Sequence, residues 1–382
     1  MSNSLAGINP KVLTWARERF GYTIDEAAQA AGRPPSELKA WEAGTSVPTY
    51  AQLEKLAYKV YKRPIALFYF PSPPPEQDPE HAFRTLPDFE IEALLPDTRF
   101  LIRRAQALQL SLEELSGGTN QAEQIVFRDL RVSPDSSIVK TAQRLREYLG
   151  VSMDRQASWS SNENAFKAWR AAMQDVGIYV FKDSFKQREV SGFCLVNQEF
   201  PLIYINNGTA FARQSFTLFH EVAHLLLNTN GITLTDISYI ETLSGRNKNV
   251  EVFCNRFASE VLVPTSLFRK IAGDQKYSDE LVEEIAEHFR VSREVILRRF
   301  LESGAVSQTF YARKAREWSD DFRRHHKAKG GNFYLNHAAY LGEKYLRLAF
   351  GSYRRGNCSA EQLATHLNVS ARSLPGLERL VS

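Results

Sequence analysis

The run FTLFHEVAHLL, residues 216–226, sets the strictest condition on how this chain can fold. Phe216, Leu218, Phe219, Val222, Ala223, Leu225 and Leu226 leave a helix here without a polar side broad enough to face water. The helix must therefore be buried, and with it His220, Glu221 and His224. Burying three such polar groups without partners is costly. Residues four apart share one helical face, about 5–6 Å from each other. Two imidazoles so placed can bind one metal ion. Glu221 then lies beside the ion rather than on it, where it can take a proton from a water that the ion activates. This is the chemistry of the HExxH pattern of zinc peptidases. With eight histidines in 382 residues, chance produces the pattern in about one such chain in a hundred.

A third ligand is required. Leu227 and Asn230 occupy the Gly and third-His positions of the longer HExxHxxGxxH pattern, and no histidine follows until His288. The carboxylates in reach are Asp236, Glu241, Glu251 and Glu260. Glu251 is favoured because it opens the next expected helix, EVFCNRFASEVLVP, which can return antiparallel to the first. Asn255, one turn on, is placed to orient a ligand histidine. Two His, one Glu and an open position make a catalytic Zn²⁺ set. Arg213, Tyr239 and Arg246 are candidate oxyanion donors. The sequence does not choose among them, and Arg213 reads more naturally as a salt bridge.

Residues 1–70 read as short helices with tight Gly turns. Thr23 and Glu26 have capping-box spacing, Ser36 opens ELKAWEAG, and Thr49 opens the segment that Pro64 follows. FYFPSPPPEQDP is an extended linker. After Gly177 the period changes. IYVFKD, SGFCLVN and PLIYIN read as three strands of an antiparallel meander. PLIYIN is a candidate edge for an extended substrate. Helices are expected at 210–227 and 250–262, with 228–248 as a loop or lid. Further helices are expected at 279–290, 292–303, 307–326, 333–355 and 359–367.

Composition bounds the rest. A net charge of +4 over 382 residues gives no strong overall field for nucleic acid or membranes, so DNA binding requires a local patch. Residues 1–70 carry a net charge of +3. Three distant cysteines, Cys194, Cys254 and Cys358, fit a reducing cytoplasm. No run is apolar enough for a membrane helix and no signal peptide is expected.

Two resemblances follow from these residues. The run RQSFTLFHEVAHLLL with EVFCNRFASEVLVP resembles the ImmA/IrrE family of zinc endopeptidases over roughly residues 160–305. The resemblance implies a minimal zincin-like domain with His220, His224 and Glu251 as metal ligands and Glu221 as catalytic carboxylate. It also implies a specific protein partner, either a cleaved repressor or a toxin in a toxin–antitoxin pair.

GYTIDEAAQAAGRPPSELKAWEAGTSVPTYAQLEKLAYKVYKRP is similar to the Cro/C1-type (XRE) helix-turn-helix family at Ala27-Ala28, Gly32, Trp41-Glu42 and Pro48 to Leu53. ELKAWEAG would hold the recognition helix, with Arg33, Ser36 and Lys39 toward DNA. Ile24 and Pro35 stand where that family often has Gln.

The expected chain is mostly α. It has an all-α helix-turn-helix domain (1–70), a Pro-rich linker (71–96), a helical connector (97–160), a small α+β zincin-like domain (161–305) and a C-terminal helical region (306–382). DNA and a protein are the expected partners, no membrane is involved, and a homodimer is compatible with these features.

Overall fold

The structure is a computed structural model that describes residues 7–76, 94–234, 240, 242–273, 275–325 and 331–381. Most of the expected linker, together with Asp236, Tyr239, Glu241 and His326, lies outside the described residues. The chain divides into two compact units, 1–104 and 105–382.

The first unit is helical. Its helices are α1 (Pro10–Phe20), α2 (Ile24–Ala31), α3 (Pro35–Glu42) and α4 (Tyr50–Glu54), the last continued by a π-helical turn over Lys55–Val60. Thr23 and Glu26 form the expected capping box, and Thr49 forms another with Gln52. Ser36 does not open α3. Pro34 is its N-cap and Pro35 its first residue, because a proline at that position gives up no hydrogen bond. Ala27, Ala28, Leu38 and Trp41 form the core with Val12, Leu13 and Leu53. Glu42 is tied to Arg17 by a two-pronged ion pair of 2.8 and 3.0 Å, which fixes α3 against α1.

The second unit is built on a four-stranded sheet: β1 (Tyr179–Asp183), β2 (Val190–Leu195), β3 (Leu202–Asn206) and β4 (Gly231–Leu234), in the order β1-β3-β2-β4. β2 runs antiparallel to β3 and β4, but β1 runs parallel to β3. The expected meander is therefore wrong, and so is the expected edge strand, since β3 is paired on both sides. The cause is burial of both faces. Val180, Cys194, Ile203 and Ile205 face the helical core. On the other face Phe193 stacks on Tyr204 at 5.2 Å, and Tyr345 from the C-terminal region covers Phe181 edge-on, also at 5.2 Å. A sheet covered on both sides shows no in–out alternation from which strand order could be read.

Against the first face pack α6 (Asn162–Asp175) and α7 (Phe211–Leu226), and behind them the same core takes in α5 (Ile138–Leu149), α8 (Gly245–Leu262), α9 (Asp279–Phe289) and α10 (Arg293–Glu302). Val282, Ile285, Ile296 and Phe300 share one core with Phe219 and Val222, so the helix pair 279–302 is part of this body. The helix expected at 333–355 is two, Phe333–Leu341 and Glu343–Arg354, broken at Gly342 with φ +88°. Arg170, buried, holds that break against the sheet. It donates to the carbonyl of Val180 and to those of Ala339 and Tyr340.

Lys182 is a testable strain in this core. It is 5% exposed, with Nζ 4.9 Å from the ring centres of Phe166 and Phe211. Burial, with the nearby Arg170 charge, pulls its pKa from 10.5 to about 7. Between these values the unfolded chain binds more protons than the folded one, so stability rises with pH across that window. Lys182→Met is expected to flatten the rise in urea midpoints measured from pH 7 to pH 10. An unchanged slope would refute this assignment.

Candidate metal centre

The motif helix α7 and the helix α8 meet through their buried faces. His220 and His224 project from α7 with Nε2 atoms 3.1 Å apart. Glu251 faces them from α8, with Oε2 3.3 Å from His220 Nε2 and Oε1 3.3 Å from His224 Nε2. The three side chains are 0–1% exposed. α8 begins at Gly245 rather than Val250, so Glu251 sits in its second turn and not at its opening. Its position is therefore not explained by the helix N-terminus, where an acidic side chain is favoured for its own sake.

The residues fit a divalent ion. Donors about 2.0–2.1 Å from one tetrahedral ion stand about 3.3–3.4 Å from each other. His220 Nε2 and His224 Nε2 already stand 3.1 Å apart, and each lies 3.3 Å from a different oxygen of Glu251, so the carboxylate straddles the two imidazoles. Burial alone would pull the His224 pKa down, but Cys254 and Glu251 outweigh it and hold the imidazole well above its ordinary value. Burial alone would push Glu251 up, but the His224 charge and hydrogen bonds from both imidazoles keep its carboxyl below the usual range. The two shifts share one cause, since the buried carboxylate and the imidazoles each stabilise the charged form of the other.

Glu221 lies next to this cluster and is fully buried. Its Oε1 accepts a hydrogen bond from Thr233 Oγ1 on β4 and the buried Cys194 thiol lies against the carboxylate, while among the described residues Oε2 accepts from no nitrogen or oxygen donor. One oxygen is thus anchored and the other is available for a proton. His224 is seated by the Thr229 hydroxyl, 3.3 Å from Nδ1, and by Gly231. A Cβ on Gly231 would come within 2.4 Å of the His224 ring, so only glycine lets β4 run this close.

Thr229, Gly231 and Thr233 lie in or beside β4, within the stretch expected to be a loop or lid. Sequence reasoning missed all three. Alternation in the short ITL run is the only local signal they leave.

Other expected residues are placed differently. Asn255 Nδ2 donates to the Glu251 carbonyl at 3.1 Å, while among the described residues Asn255 Oδ1 and His220 Nδ1 meet no hydrogen-bond partner. The expected bond from Asn255 to a ligand imidazole is not formed. Its amide is drawn instead to the carbonyl one turn back on its own helix. Glu260, another carboxylate considered as a ligand, is bound to Arg299 at 2.8 Å. Arg213 forms an ion pair with Glu294 at 3.3 Å and donates to the Leu234 carbonyl at 3.1 Å. Arg246 is exposed in the first turn of α8. Cys254, which the sequence reading passed over, stands one turn beyond Glu251. Its sulfur and a ring nitrogen of each histidine all lie within 4.8 Å of one another. The i, i+3 spacing from Glu251 was its visible signal.

In the first unit Arg33, Ser36 and Lys39 are exposed, and Arg33 lies 3.8 Å from Glu37. Among the described residues no helix is long and apolar enough to cross a membrane.

Residues 173–301 match the family model of the IrrE N-terminal-like domain, a metallopeptidase-like fold. Residues 13–57 match a helix-turn-helix model. No curated protein matches the chain.

Proposed function

We propose that this chain, a helix-turn-helix domain followed by an IrrE N-terminal-like domain, is a cytoplasmic DNA-binding regulator with a zinc-dependent endopeptidase that cleaves a specific protein partner, such as a repressor. The observation that carries the reading is the buried cluster in which Glu251 faces His220 and His224, each imidazole 3.3 Å from one of its oxygens, with the Glu221 carboxylate beside it. His220, His224 and Glu251 would hold Zn²⁺, which when bound acidifies a water and polarises a carbonyl.

The protein's own groups do the rest. Glu221 Oε2 takes the proton of the attacking water and passes it to the departing amine. Thr233 keeps Glu221 from turning away, and Thr229 fixes the His224 ring. Among the described residues β4 pairs only with β2. Its other edge can accept an extended substrate backbone by strand addition, which would bring a peptide alongside Thr233.

The test is the purified full chain, loaded with Zn²⁺ and mixed with the protein encoded beside its gene. Cleavage that a chelator abolishes and added Zn²⁺ restores is expected. Binding of that protein without cleavage, at full metal occupancy, would sink the peptidase reading. It would favour the second reading, a non-catalytic repressor or antitoxin that binds its partner, for example a toxin, through the same fold. That reading draws on the depth of the centre, since the ligands and Glu221 are all 0–1% exposed.

For DNA, Ser36 and Lys39 lie three residues apart on one face of α3, with Arg33 ahead of them. Lys39→Ala is expected to weaken binding to the chain's own promoter similarly across sequences. It should also reduce the salt slope by about one unit. A promoter complex with the same salt slope in both proteins would remove Lys39 from the interface.

A further inference from the structure

The proposed chemistry uses two imidazoles and two carboxylates, yet a fourth metal-binding side chain stands in the same pocket. Cys254 lies on α8 one turn beyond Glu251, fully buried, with Sγ and a ring nitrogen of both His220 and His224 inside one 4.8 Å cluster. It is the only cysteine in such a cluster among the described residues. Cys194, also buried, lies across the sheet side of the pocket with Sγ 3.8 Å from the Thr229 carbonyl. Thiolate is among the best Zn²⁺ ligands, and four protein donors mark closed zinc sites, whereas catalytic sites keep one position open.

We propose that Cys254 is a direct sulfur donor to the ion held by His220, His224 and Glu251, so that the resting chain holds its metal in a closed two-nitrogen, one-oxygen, one-sulfur set. The inference rests on the metal reading above and refines it. On binding, the thiol loses its proton to bulk solvent and the sulfur lone pair fills the position that a water needs. Glu221 then has no water to deprotonate. Peptidase action then requires the sulfur to be withdrawn from the ion.

The experiment loads the full chain with Co²⁺ and records its absorption spectrum. A near-ultraviolet thiolate-to-cobalt band is expected in the wild type and in Cys194→Ala, and should be absent in Cys254→Ala and Cys254→Ser. Chelator competition should show Zn²⁺ affinity lower by about tenfold or more in Cys254→Ala, since even outer-shell partners are worth about 10–100-fold. Cleavage by that variant at full Zn²⁺ occupancy should be faster than in the wild type.

One Co²⁺ bound per chain without the band, or a band that survives Cys254→Ala, overturns the proposal and leaves the three-ligand centre intact. Failure of that centre looks different. The wild type would bind no ion, or the double variant His220→Ala/His224→Ala would bind it as well as the wild type, and the proposal would fall with it.

Discussion

Glu221→Gln is expected to reduce cleavage of the partner protein by about 10²–10⁴-fold while leaving Zn²⁺ bound. The substitution keeps the size of the side chain, and its carbonyl oxygen can still accept from Thr233. What it removes is the ability of the second oxygen to take and return a proton. Because the buried side chain keeps its size, urea midpoints are expected to stay close to wild type. The measurement pairs initial cleavage rates with metal content and urea midpoints on the same preparations. Loss of metal along with loss of cleavage would show that Glu221 acts as a ligand. Cleavage within a factor of about three of wild type would exclude it as the proton carrier, since that is far below the effect of a general base.

The largest loss of stability is expected from Arg299→Ala. Arg299 is 4% exposed and donates from Nη2 to Glu260 Oε2 at 2.8 Å and to the Val263 carbonyl at 2.6 Å. Its Nη1 donates to Glu302 Oε2 at 2.6 Å and to Thr265 Oγ1 at 3.2 Å. Glu260 in turn accepts from Thr265 N at 3.0 Å and Thr265 Oγ1 at 2.6 Å. This network locks the end of α8 to α10, and so holds Glu251 and Cys254 against α7. Removing the guanidinium leaves the buried Glu260 without its partner, at a cost of about 3–5 kcal/mol. Arg299→Met with Glu260→Gln removes both charges and should recover much of that loss. Urea unfolding of the three proteins decides it. A single-variant loss below about 1 kcal/mol would place the pair with exposed salt bridges, which its burial contradicts.

Local periodicities carried much of this protein. The four-residue spacing of His220 and His224 puts them on one helical face wherever that helix packs, and the apolar residues around them require burial. The capping boxes at Thr23 and Thr49 are equally local, which is why the helices they open were legible. The pairing of Glu251 with the histidines was also within reach, because few carboxylates follow and Glu251 is the first of the two on the next helix.

Strand order, the fourth strand and the neighbours of Glu221 were not legible. β4 is four residues long and lies in a polar stretch, so its pairing with β2 comes from the sheet and not from its own propensity. The sequence by itself determined that His220 and His224 share one buried helical face, since helical geometry is set by the backbone over a few residues. Only the tertiary structure decided that Thr233 anchors Glu221, that Gly231 makes room for His224 and that Cys254 joins the cluster. These depend on how far apart separately folded segments come to rest, and that distance is fixed by packing of the whole core.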